Sequence, residues 1–131
     1  MTIYYSLTGK LIFLMIDYIV KMLDYIPEYM KVESSTPAAH HIFGIAEDAT
    51  KLSQAGADLF HQFVAQVLYL SKRSLPDIQL SVSFLCTRGR GPDNDDYKKL
   101  ERVMKCIQGT IGLPLILSID KSGNINWYVD A

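Results

Sequence analysis

The period of apolar and polar positions changes several times along the chain, and each change marks an element. From Thr2 to Phe13 the residues are rich in β-branched and aromatic types, interrupted by Leu7-Thr8-Gly9-Lys10. That pattern predicts a hairpin, with Gly9 able to take the turn conformation. Ile16, Ile19, Val20, Leu23 and Ile26 then recur at helical spacing. A helix is expected from about Met15 to Met30, with Pro27 as a kink or a terminal turn. Glu33 to Gln54 hold no sustained period and contain Ser34-Ser35-Thr36-Pro37, the mark of an extended connector lying over the surface.

Further along, Leu59, Phe60, Phe63, Val64, Val67 and Leu68 share one face of a helix expected over Ala57 to Lys72. Pro76-Asp77 is a helix-start signal, and Ile78, Val82, Leu85 and Cys86 give a third apolar stripe. Arg88-Gly89-Arg90-Gly91-Pro92 ends that helix. Asp93 can cap a fourth, whose apolar positions are Tyr97, Leu100, Val103, Met104 and Ile107, closed by Gly109. Strict alternation at Leu113, Leu115, Leu117 and Ile119, a turn at Asp120-Lys121-Ser122-Gly123, and alternation again at Ile125, Trp127 and Val129 predict a C-terminal hairpin. The chain stops directly on that strand, so the natural domain is expected to continue. The fold class is α+β: an N-terminal β-hairpin, a four-helix bundle and a C-terminal β-hairpin.

Composition narrows the class. A chain of 131 residues, 49% hydrophobic and 21% charged, supports one ordinary globular domain or two small subdomains sharing a core. The apolar run Leu11 to Ile16 is too short for a membrane span, and Asp17 and Lys21 keep it from extending. No membrane association is expected, and with no targeting signal the compartment is expected to be cytoplasmic or nuclear. Cys86 and Cys106 are too few for a disulfide framework, and both fall in helical apolar patterns, which reads as buried thiols. The net charge of −1 conceals an asymmetry: residues 71–108 hold eight Lys/Arg against five Asp/Glu. That is a modest bias toward a polyanion-facing patch.

Candidate chemistry is sparse. Lys98, Arg102 and Lys105 form a row nearly opposite the apolar stripe of the fourth helix, where they can track phosphates while the other face packs. An ordinary solvated face, paired with Glu101 and Asp95, is the simpler reading of the pattern alone. The glycines of Arg88-Gly89-Arg90-Gly91 would let backbone N–H groups approach an anion, but the spacing is not that of a P-loop, and a plain turn accounts for them. His40, His41 and His61 with the two cysteines lack the paired spacing of a zinc site. No serine stands in a nucleophile–base motif. Asp93, Asp95 and Asp96 cluster at a helix start, where capping explains them. Asp130 ends an alternating strand, a position from which a carboxylate can bind Mg²⁺ only with partner carboxylates.

Taken in order, these residues resemble one family, the copia-type retrotransposon polyprotein. Gly9-Lys10-Leu11-Ile12-Phe13 and Met15-Ile16-Asp17-Tyr18-Ile19 look like the strand and helix after the primer grip of its reverse transcriptase. Thr36-Pro37-Ala38 resembles the next connector of that enzyme. Phe60-His61, Leu68-Tyr69-Leu70, Pro76-Asp77-Ile78 and Val82-Ser83-Phe84-Leu85 resemble the thumb and connection helices, which carry an Arg-Pro-Asp-Ile signature. Asp95 to Leu100, Arg102-Val103-Met104 and Gln108-Gly109-Thr110 extend the likeness. Trp127-Tyr128-Val129-Asp130-Ala131 looks like the first strand of ribonuclease H.

The resemblance implies four segments: 1–32 as the end of the palm hairpin and first thumb helix, 33–56 as connector, 57–110 as the thumb/connection region, and 111–131 as the opening hairpin of ribonuclease H. It implies an RNA-directed DNA polymerase parent that uses Mg²⁺, with the aromatic-x-Asp-Asp motif lying before Met1. Asp130 would be the first ribonuclease H carboxylate and a metal ligand, with its partners beyond Ala131. The segment itself is then expected to be non-catalytic and to bind no cofactor. An RNA–DNA or DNA duplex is the implied partner, with Lys72, Arg73, Arg88, Arg90, Lys98, Arg102 and Lys105 as phosphate contacts. Exposed apolar faces would open a route to self-association. Two positions depart from the family: Leu75 stands where Arg usually precedes Pro76-Asp77, and Leu14 replaces a small polar residue before the first helix. Two rival readings are a working polymerase encoded by a longer gene and a domesticated protein-interaction module.

Overall fold

The computed structural model describes residues 1–6, 8–30, 34–119 and 122–124, and it has two parts: a three-stranded antiparallel sheet and a body of four α-helices. Strands β1 (Thr2–Ser6) and β2 (Lys10–Leu14) form the predicted hairpin, in register from Thr2 opposite Leu14 to Ser6 opposite Lys10. Gly9 sits at φ +77°, a conformation that side-chain-bearing residues rarely adopt, and the Ile119 side chain crowds the space a Cβ would need. Strand β3 (Leu115–Ser118) does not stand apart. It pairs with β2, Leu115 opposite Phe13 and Leu117 opposite Leu11, giving the order β1-β2-β3. The second strand expected at Ile125, Trp127 and Val129 lies outside the described residues, as does Asp130.

Helix α1 is shorter than its apolar period suggests, spanning Ile16–Leu23. Pro27 has no N–H to return to the Leu23 carbonyl, and the backbone tightens ahead of it: the N–H groups of Tyr25 and Ile26 reach back only three residues, to Met22 and Leu23. A separate 3-10 turn comes next, at Glu28–Met30. The residue preceding α1 is Met15, whose side chain makes no cap.

Helix α2 (Gln54–Ser71) begins earlier than its apolar stripe, because Ser53 caps it: the Gly56 N–H donates to Ser53 Oγ at 3.2 Å. After a 3-10 turn at Pro76–Ile78 comes α3 (Gln79–Thr87), and then α4 (Asn94–Gly109). Asp93 caps α4 as expected, within a reciprocal capping box. Its Oδ1 accepts from the N–H groups of Asp95 and Asp96, and Asp96 Oδ2 accepts from the Asp93 N–H.

Phe60, Phe63, Val67, Leu70, Val82, Leu85, Leu100, Val103, Met104 and Ile107 meet in one core, joined by Ile19 and Met22 of α1. Fully burying each such side chain stabilises by about 1.5–3 kcal/mol. Leu75 is part of this core at 2% exposure. Cys106 is buried, but Cys86 is exposed: it falls on the edge of the α3 stripe rather than under it, which corrects the expectation of two buried thiols.

Among the described residues, none in a strand belongs to the core. Residues opposite each other share a face, so Ile3, Phe13 and Leu115 lie with Tyr5, Leu11 and Leu117 on one face of the sheet. Tyr5 is 80% exposed and Leu117 49%. No helix among the described residues is long and apolar enough to cross a membrane.

Candidate nucleic-acid interface

The row Lys98, Arg102 and Lys105 lies on the side of α4 away from the core, as its spacing requires. That side is not open solvent. The connector crosses it: the Ser34 N–H donates to the Lys105 carbonyl at 3.2 Å, and Arg102 Nη2 donates to Thr36 Oγ1 at 2.7 Å. Farther along, Lys99 Nζ donates to the Gly44 carbonyl. Between connector and helix runs a groove of about 350 Å³ lined by Ser34, His41, Ile42, Lys98, Arg102 and Lys105, among others.

The cations of this groove differ in what holds them. Lys105 pairs with Glu101 at 2.7 Å, one helical turn away. Lys98 is exposed and has no ion pair among the described residues. Arg102 keeps its Nη2 on Thr36, while its buried Nε has no hydrogen-bond partner among the described residues. A buried donor without a partner costs roughly 1–3 kcal/mol, so Arg102 is held in a state that an incoming acceptor would improve.

The other four expected contacts stand elsewhere. Arg88 is taken up inside the protein: its Nε donates to both oxygens of Asp96, at 2.9 and 3.1 Å, and its Nη2 lies 3.3 Å from Asp93 Oδ2. These carboxylates raise the Arg88 pKa, the hydrogen bond to Asp96 contributing most. For Asp93, burial works upward, but the N–H groups of Asp96 and Asp95, with Lys51 and Arg88, outweigh it and hold the carboxyl below its ordinary value. Arg90 is exposed on the same turn. At the end of α2, Lys72 is exposed and Arg73 lies over the Tyr69 ring, 3.7 Å from its centroid. The seven cations therefore occupy three places: the α4 groove, the α3–α4 turn and the end of α2.

Three residues in this region escape sequence reasoning. Lys99 is only 6% exposed, bonded to Asp95 at 2.8 Å and set above the Phe84 ring, where it fastens the connector to the helical body. Its one signal is Asp95 at i−4, which also fits a surface pair. Lys51 reaches the Gly91 carbonyl at 2.6 Å, and the backbones on either side bond as well, Leu52 to Pro92 and Asn94 to Thr50. His61 bonds through Nε2 to the Gly89 carbonyl at 2.5 Å, tying the glycine-rich turn to the exposed side of α2.

No group of three or more His, Cys, Asp and Glu side chains that could hold a metal occurs among the described residues. What the region can do chemically is present cations to an anion. Comparison with protein-family models, with curated proteins and with solved structures gives no match for this chain.

Proposed function

We propose that the chain is a positioning segment of a copia-type retrotransposon reverse transcriptase, contacting the phosphates of a primer–template duplex without catalysis of its own. The observation that supports this most is the outward face of α4, where Lys98 and Arg102 stand within one helical turn, backed by the buried core. Regularly spaced cations on a helix fit the phosphate backbone and read no sequence. The order of motifs along the chain, from the Gly9–Phe13 strand to Pro76-Asp77-Ile78 and Asp95–Leu100, supplies the family and the partner. In the parent polymerase the chemistry would belong to Mg²⁺ held by carboxylates of other segments.

A salt titration of binding to a labelled RNA–DNA hybrid tests the reading. Affinity should fall linearly with salt on logarithmic axes, and K98Q or R102Q should each lessen the slope by about 1. Binding that ignores salt, or none at low salt, rejects it.

A second reading has its own observation. The sheet face bearing Ile3, Tyr5, Leu11, Phe13, Leu115 and Leu117 is apolar and takes no part in the core, as a protein-interaction module requires. A concentration-dependent dimer in sedimentation, abolished by L117E, favours this reading. A monomer at every concentration removes self-association from it.

A further inference from the structure

We infer that Thr36 is a phosphorylation site whose phosphate is received by Arg102, closing the connector over the cationic face of α4. Thr36 is exposed, lies in a segment without regular structure, and immediately precedes Pro37. A residue before proline is confined to extended backbone, the form in which a peptide enters a kinase cleft. Proline-directed serine/threonine kinases read that dipeptide. Ser35 is also exposed but precedes Thr36, so it lacks the signal.

What sets Thr36 apart from an arbitrary exposed threonine is its partner. Its Oγ1 already accepts from Arg102 Nη2 at 2.7 Å, so the receiving guanidinium is in place before modification. In the transfer, the γ-phosphoryl group of a nucleoside triphosphate moves to Oγ1. The Oγ1–P bond forms as the bridging P–O bond breaks, the hydroxyl proton passes to a base of the kinase, and the nucleoside diphosphate leaves. The hydroxyl's present bond to the Ala38 carbonyl, at 3.3 Å, is lost. In exchange Arg102 faces three strong acceptor oxygens carrying about −1.5 to −2 charges. The Nη2 that now meets a neutral hydroxyl would then make a charge-assisted bond to a phosphate oxygen.

The added charge offsets the excess of the face, where Lys98, Lys99, Arg102 and Lys105 oppose Asp95 and Glu101. Resting on the duplex-binding reading above, the modification is an off switch for that contact. Without that reading it is still a clamp on the connector.

The test treats the full chain with a proline-directed kinase and ATP, locates the phosphate by mass spectrometry, and includes T36V as the control. Modification of Thr36, with a rise in melting temperature that disappears in R102Q, supports the clamp. Absence of modification at Thr36 overturns the inference, and so does a rise that persists in R102Q. Hybrid binding is read separately. If the unmodified chain binds and the phosphorylated chain binds about tenfold more weakly at low salt, the switch holds. If both bind equally, the switch is overturned. If the unmodified chain does not bind, the duplex reading fails while the clamp is still decided by melting. Should R102Q fold poorly, R102M, which keeps the aliphatic length but carries no charge, takes its place.

Discussion

The Arg88 guanidinium presents its Nε to both oxygens of the Asp96 carboxylate, at 2.9 and 3.1 Å, inside a junction where Asp96 is only 2% exposed. The same carboxylate accepts from the Asp93 backbone, so one side chain joins the α3–α4 turn to the start of α4. This arginine is structural, although sequence spacing makes it as plausible a phosphate contact as Arg90.

Removing Arg88 should therefore damage stability rather than binding. R88A leaves the buried Asp96 carboxylate without its cation and Asp93 with Lys51 alone, and breaking a buried pair from one side costs about 3 kcal/mol or more. Urea unfolding measures it. R90A, by contrast, should stay within roughly 0.5 kcal/mol, as exposed substitutions usually do. Equal effects of the two would contradict the assignment.

Asp93 makes the fold sensitive to acid. Its folded-state pKa lies below the ordinary value of 3.8, so its contribution is present above that value and is lost as pH falls through the folded pKa. Unfolding free energy measured from neutral pH down to about pH 2 should decline through this window. In D93N the decline should be shallower, from a lower starting stability. An unchanged slope would show that other carboxylates carry the acid response.

Leu75 tests how closely the helical core is packed. L75R would place a charge in a site of 2% exposure, and a loss of more than about 3 kcal/mol is expected. L75M keeps volume and polarity and should cost less than about 1.5 kcal/mol. Thermal or urea unfolding separates the two. A well-folded L75R would mean that the side chain escapes to solvent around Pro76.

The cysteines should react one at a time. Cys86 is exposed and Cys106 is buried, so a thiol reagent should label Cys86 in the native protein and Cys106 only on unfolding. Burial, slightly countered by Lys72, raises the Cys86 thiol above its ordinary 9.0. Because the thiolate is the reacting form, labelling should still accelerate as pH passes 9.0. Rapid labelling near neutrality would exclude that environment.

Elements governed by local chemistry were legible in the sequence. The hairpin could be read from Gly9, the α4 start from Asp93, and the helical core from the stripes of α2 and α4, where period alone names the inward face. What escaped depends on distance along the chain. The pairing of Leu117 with Leu11 joins residues 106 positions apart, and alternation announces a strand without naming its neighbour. The early start of α2 escaped because Ser53 caps the helix well before the apolar stripe begins. At the candidate interface, the outward direction of Lys98, Arg102 and Lys105 was legible. The connector lying on them was not, since Thr36 and Ser34 show no period tying them to α4. Nor could spacing reveal that Arg88 turns inward: two carboxylates five and eight residues on suit a cap, a surface network or a buried pair equally.

The separation of the sheet from the helical core governs how the molecule comes apart. With none of their side chains in the common core, β1, β2 and β3 can release as a unit while the four helices stay folded, so amide protons of Ile3 and Ile12 should exchange at a lower free energy than those of Val67. Once released, a run such as Lys10–Leu14, mostly apolar and carrying one charge, is ready to stack on its counterparts from other molecules. Helices set the temperature at which this protein melts. Its strands set how much of it stays dispersed.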